Sequence, residues 1–306
     1  MGHEHEHIHS HSANKKTLTL SLIIIGLFMI AEVIGGLLTN SLALLADAGH
    51  MFSDAVSLFI ALIAFTFSDK AANYGKTYGY KRFEILAAVL NGATLIFISV
   101  YIMYEAFERF QHPKQILSSG MLFIALLGLL VNILVAGIMQ RGSDIKNNLN
   151  LRAAYQHVLS DMFGSLGAVI ASLLIMFFGW TWADPAASVI VALLVLRSGY
   201  LVTKSSIHVL MEGTPTNVEI DKVIENILET DGIRSIHDFH VWTITSGLNA
   251  LTCHAVVDKE MNVSESEIIL HQLEEKLKRL NIHHLAIQLE TPAHPHDDSL
   301  LCCTEN

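Results

Sequence analysis

Six long apolar runs, separated by short polar stretches, dominate about the first two thirds of the chain. They cover 17–39, 42–67, 83–107, 117–140, 151–179 and 184–210. Each is long enough to cross roughly 30 Å of hydrocarbon at about 1.5 Å per helical residue. The pattern therefore predicts a membrane α-helical bundle of six transmembrane helices over residues 17–211. From Gly213 the period changes. Residues 217–230 read as a helix ended by Asp231-Gly232, and 234–244 as a strand. Ser246-Gly247 supplies a turn. In the strand 248–257, Leu251, Cys253, Ala255 and Val257 alternate with Thr252, His254 and Val256. Ser264 and Glu267 read as a capping box for a helix of about 265–280, and 283–290 as a last strand. The order αββαβ defines a small cytoplasmic α+β domain over 212–291. A polar tail, 292–306, follows.

Charge orients this plan. Lys15, Lys16, Lys70, Lys76, Lys81, Arg82, Arg141, Lys146, Arg152 and Lys204 fall on one side of the predicted spans. The other side has Arg109 and Lys114. By the positive-inside rule both termini are cytoplasmic and the protein is a multi-pass cell-membrane protein. Trp180 and Trp182, at the outer turn between the last two spans, read as interfacial anchors. Gly35-Gly36 allows close helix packing. Residues 212–306 hold 17 Asp/Glu against 6 Lys/Arg, a net of −11, which argues against nucleic acid as a partner. Three cysteines give no disulfide framework and fit a reducing compartment.

The chemistry lies in two polar interruptions. His50 and Asp54 sit in the second run, and His157 and Asp161 in the fifth, each pair inside a His-x-x-Ser-Asp spelling. Residues four apart share a helix face. An ionisable group within a span costs roughly 2.5–3.5 kcal/mol on insertion scales and usually faces a cavity or partner. Two imidazoles and two carboxylates converging on one point make a tetrahedral set suited to Zn²⁺, with Cd²⁺ or Co²⁺ as relatives in chemistry. Four protein ligands leave no open position for hydrolysis, and no His-Glu-x-x-His is present, so an enzyme is not expected. Asp47, three residues before His50, is read as an accessory group or as a local helix cap. His3, His5, His7, His9 and His11 alternate with other residues in a tail (1–16) too polar to fold alone. That tail is expected to be disordered and to collect metal.

Ligand histidines must be neutral, so protons compete with metal. The expected activity is metal efflux from the cytoplasm, with protons returning by alternating access. The competing reading is a membrane metal sensor that binds Zn²⁺ without moving it.

The doubled motif, Ser41-Leu-Ala-Leu-Leu-Ala-Asp-Ala, Tyr78-Gly-Tyr-Lys-Arg-Phe-Glu84, His237-Asp-Phe-His-Val-Trp242 and Gln288-Leu-Glu-Thr-Pro together resemble the cation diffusion facilitators. The resemblance covers nearly the whole chain. It implies a homodimer, H⁺-coupled zinc efflux through His50, Asp54, His157 and Asp161, and a metallochaperone-like cytoplasmic fold. It further implies a structural or regulatory Zn²⁺ held by His237, His254, His283 and Glu290. His283 and Glu290 are seven apart, which puts them on opposite faces of a regular strand. His284 shares the parity of Glu290 and is the rival. Cys302 and Cys303 resemble the C-terminal metal-binding cysteines of some members, although adjacent cysteines make a strained chelate.

Overall fold

The computed structural model describes residues 5–67, 73–142, 149–257, 261–294 and 299–301. His3, Cys302 and Cys303 lie outside these residues, as do the side chains of His5, His7, His9, His11 and His157.

Contacts divide the chain into two units, residues 1–69 with 87–203, and 70–86 with 204–306. The first is built from six helices: α1 (His5–Thr39), α2 (Leu42–Phe67), α3 (Phe83–Gln111), α4 (Ser118–Gly142), α5 (Leu149–Phe178) and α6 (Ala183–Leu210). Among the described residues, four stretches are long and apolar enough to cross a membrane: Leu22–Thr39, Phe83–Gln111, Asp161–Phe178 and Ala183–Leu210. Their outward faces carry exposed Leu27, Leu38, Leu90, Phe97, Phe177 and Ile190. Such faces are stable in lipid and not in water, so this unit is an α-helical membrane bundle. α1 begins at His5. No Gly or Pro stands between His5 and Gly26 to end a helix there.

Small residues line the bundle interior. Ala43, Ala46, Ala125, Ala168, Ala171 and Ala192 are all buried. At Gly35 an added Cβ would collide with Ile124 of α4, and at Gly36 it would stand 2.8 Å from Leu45 of α2. The glycine pair therefore lets α1 approach both neighbours closely, as its spelling predicts. At the α5–α6 turn, Trp180 and Trp182 stack with ring centroids 5.4 Å apart, and both are about half exposed.

The second unit contains α7 (Ile220–Leu228), β1 (Ile233–Thr245), β2 (Leu248–Val257), α8 (Val263–Lys278) and β3 (Ile282–Glu290). The sheet order is β1-β2-β3, with β1–β2 antiparallel and β2–β3 parallel. α8 makes the crossover that a parallel pair requires. Val223 and Ile227 of α7, and Ile269, Leu273 and Leu277 of α8, bury their i, i+4 faces against Phe239, Val241, Leu251, Cys253 and Ala255 of the sheet. The capping box falls two residues earlier than Ser264 and Glu267. Asn262 Oδ1 accepts from Glu265 N at 3.0 Å, and Glu265 Oε2 accepts from Asn262 N at 3.0 Å. Both spellings fit the motif; Asn262 holds the extended backbone that a cap requires.

The 73–86 segment belongs to this unit. Thr245 and Ser246 donate to the two oxygens of Glu84 at 2.8 and 2.9 Å. Arg82 donates to Glu212 at 3.0 Å, and Tyr78 meets His284 edge to face.

Leu273 is fully enclosed between α8 and the sheet. Leu273→Ala is expected to remove about 2–5 kcal/mol of stability from this unit. Chemical denaturation followed by a probe in the unit checks it; an unchanged midpoint would contradict the packing.

Candidate metal centre

α2 and α5 bring the two polar interruptions together. His50 Nε2 lies 3.1 Å from Asp161 Oδ1 and 4.0 Å from Asp54 Oδ2. One ligand atom from each of the three falls within 4.8 Å of the others. The side chains are only about one-fifth exposed. Ligand atoms about 2 Å from one zinc stand roughly 3.3 Å apart in a tetrahedron. Closing the triad on an ion therefore needs shifts of about an ångström, within the reach of side-chain rotation. The sequence-predicted fourth member, His157, is one helical turn before Asp161 on α5.

The start of α2 is held from a distance. Ser41 caps the helix through its Oγ and Leu44 N, at 3.3 Å. Asp184 of α6, fully buried, accepts from Ser41 Oγ at 2.7 Å, Leu42 N at 2.8 Å and Ala43 N at 3.1 Å. Asp184 also faces Arg109 of α3 at 3.5 Å, and that guanidinium bonds Glu105 and the Asn40 carbonyl. Arg109 is thus a buried junction. Sequence reasoning counts it only as a loop charge and misses Asp184, because the partners are 142 and 75 residues apart.

Asp47 does not fall within the triad's ligand group. It is buried, accepts from Ser165 Oγ of α5 at 3.4 Å, and faces Glu32 of α1. Ser53, inside the first motif, accepts from Asn91 of α3 at 2.9 Å. It is a packing group rather than a ligand.

A second cluster forms on the sheet. His237 and His254 are cross-strand partners with ring centroids 5.0 Å apart. Glu290 at the end of β3 lies 2.8 Å from His254 Nδ1 and 3.4 Å from His237 Nε2. One ligand atom from each of the three lies within 4.8 Å of the others. A bulge between His237 and His240, with Asp238 in the left-handed region (φ 48°), re-aims the strand here. Asp238 approaches His254 at 3.7 Å and accepts from His240 at 2.9 Å. That hydrogen bond, with the nearby His254 and His237, holds its carboxyl below the usual carboxylate range. His294 stands 3.5 Å from Glu290, a contact hidden in the sequence by its place in a Pro-rich tail.

His283 is exposed and falls at the register shift where Ile282 pairs with Asn249 and His284 with Ala250. It does not join the group, and His284 is turned to Tyr78. A buried carboxylate between two imidazoles is an apt donor set for a divalent transition metal. Cys253, a residue of β2, is buried in the core of the domain, and burial pushes its thiol up to about 12, with a smaller push from Asp238. It is therefore inert. Alkylation of the native protein at mildly alkaline pH, read by peptide mass, is expected to leave Cys253 unmodified until the domain unfolds.

A membrane bundle with a buried His/Asp centre, joined to a soluble domain with a His/Glu centre, defines an integral membrane metal-handling protein. Residues 18–211 match the cation efflux transmembrane domain, and 215–292 match the cytoplasmic domain of cation efflux proteins. The chain belongs to this family, the cation diffusion facilitators, and is a transporter rather than an enzyme. The cadmium, cobalt and zinc/H(+)-K(+) antiporter of Bacillus subtilis (strain 168) is 63% identical over 275 residues, 90% of this chain and 88% of its own. The metal cation efflux system protein CzcD of Cupriavidus metallidurans is 42% identical over 265 residues, 87% of this chain and 83% of its own. The zinc transporter ZitB of Escherichia coli (strain K12) is 41% identical over 273 residues, 88% of this chain and 86% of its own.

Proposed function

We propose that this chain exports Zn²⁺, and with it Cd²⁺ or Co²⁺, from the cytoplasm in exchange for protons. The observation that carries the reading is the approach of His50, Asp54 and Asp161 inside the membrane bundle. Two carboxylates and an imidazole attract a dication and bind it with nitrogen and oxygen donors, the set that zinc accepts. His157, on the same helix as Asp161, completes four ligands. Imidazole binds metal only when neutral, so a proton arriving from the outer side favours release and a neutral ring on the inner side favours loading. Alternating access of the centre then couples the two flows in opposite directions. The Bacillus subtilis relative, a cadmium, cobalt and zinc/H(+)-K(+) antiporter 63% identical to this chain, supports the exchange.

In this reading the protein has six spans with both termini in the cytoplasm and works as a homodimer. The basic loops and the family's plan support this. His237, His254 and Glu290 hold a regulatory or structural Zn²⁺ in the cytoplasmic domain, with His294 beside them. The His-rich tail and Cys302-Cys303 gather metal at the cytoplasmic face.

Everted membrane vesicles test the proposal. An acidic lumen is expected to drive zinc uptake from the medium, and collapse of the gradient to slow it. Zinc binding without uptake would instead mark a sensor.

A further inference from the structure

One buried group plays no part in the metal centre. Glu32 lies well inside α1 and is 1% exposed. Among the described residues, neither of its carboxyl oxygens has a hydrogen-bond donor, and no Lys or Arg pairs with it. The side chain within hydrogen-bonding reach is another carboxylate, Asp47 of α2, itself 5% exposed. Asp47 receives one donor from elsewhere, Ser165 Oγ at 3.4 Å, which in turn accepts from Asn132 Nδ2 of α4 at 3.4 Å. Gly164 leaves room for this contact, since a Cβ there would lie 2.9 Å from Asp47 Oδ1. Among the described residues, the charged and titratable groups facing the pair are Asp161 of α5 and His50 of α2. Four helices therefore enclose two carboxyl groups that face each other, and among the described residues no Lys or Arg stands between them.

Two ionised carboxylates in an apolar interior repel each other and are poorly solvated. A carboxylic acid donating to a carboxylate resolves both problems with one proton.

We propose that Glu32 and Asp47 form a proton-holding pair, separate from the metal ligands, that supplies part of the proton flow exchanged against metal. This rests on the exchange reading above. The step is a proton transfer. When a dication enters the His50–Asp54–Asp161 centre, the pair's proton leaves Glu32 or Asp47 for water on the open side. When the dication departs, a proton from the opposite side returns to the same oxygens. No bond other than O–H forms or breaks, and the added metal charge is partly offset by the departing proton.

Infrared difference spectroscopy on the full-length protein in lipid tests the pair directly. At neutral pH the wild type is expected to show the C=O stretch of a buried carboxylic acid. The band should move on ¹³C-labelling of glutamate and aspartate side-chain carboxyls, and weaken when zinc is added. It should vanish in Glu32→Gln. Absence of the band, or its persistence in Glu32→Gln, overturns the proposal. In liposomes, Glu32→Gln and Asp47→Asn are expected to keep zinc-for-zinc exchange yet return fewer protons per metal ion and lose acceleration by a pH gradient. Unchanged proton counts overturn the proposal. So does loss of a response to K⁺ with the pH response intact, which would mark an alkali-ion site. If neither variant folds, the labelled wild-type band alone decides. If the wild type moves zinc without protons, the exchange reading fails while the band still reports on the pair.

Discussion

Asp54→Ala and Asp161→Ala are each expected to reduce zinc flux by more than about 100-fold while leaving the protein folded. Removing groups that only support a metal ligand already costs about 10–100-fold in affinity or activity, and these residues are read as ligands themselves. The two losses differ in kind. Asp54 is the more distant carboxylate, 4.0 Å from His50 Nε2, so its removal takes away one donor and one charge. Asp161 stands 3.1 Å from the same nitrogen and also sets the angle of the imidazole ring. Its loss frees the ring as well as removing a donor. Asp161→Asn keeps the shape and much of the hydrogen bonding but not the charge, and should also fail. Initial rates in vesicles and zinc titration of the purified protein check both. Flux near the wild-type rate in either alanine variant would remove the centre from the transport path.

Asp184→Ala is expected to destabilise the membrane bundle by about 3–5 kcal/mol, the usual cost of breaking one partner out of a buried charged pair. The variant strands three donors, Ser41 Oγ, Leu42 N and Ala43 N, at the first turn of α2. It also removes a carboxylate from a guanidinium that is 8% exposed. Because α2 carries His50 and Asp54, a loosened first turn should weaken zinc affinity as well. Thermal unfolding in detergent measures the loss. Combining Asp184→Ala with Arg109→Met should cost less than the two changes added together, because the second change removes the stranded charge. Strict additivity would show that the two residues do not act as a pair.

Much of this architecture was legible in the chain. The helices follow from apolar runs whose length suits a bilayer, and the soluble elements from a change of period at Gly213. His50, Asp54 and Asp161 announced themselves because the same five-residue spelling occurs twice. The residues that escaped reading share a cause. Glu32 is a lone carboxylate in a span, with no repeat to mark it, and its partner is fifteen residues away on another helix. Asp184 looks like an ordinary acidic first-turn residue of α6, and nothing local says that it caps α2. His294 precedes a proline in a polar tail, where a histidine carries no periodic signal. The expectation for His283 came from resemblance and met a register shift that alternation alone could not place. Local pattern reports elements and repeated chemistry. Single polar contacts between distant helices are set by packing.

The order in which the cytoplasmic sheet is threaded bears on how the domain comes apart. β1 and β2 are joined by a two-residue turn and form a local hairpin, whereas β3 joins only after the α8 crossover. Short-range contacts close early in folding and long-range ones late. His237 and His254 come from the hairpin, but Glu290 is the last residue of β3. The three-ligand group is therefore completed only when the final strand docks. A dication bound there stabilises the finished domain more than the folding barrier, so it should slow unfolding markedly and leave the folding rate nearly unchanged. Metal occupancy would then set the lifetime of the domain as well as its equilibrium stability.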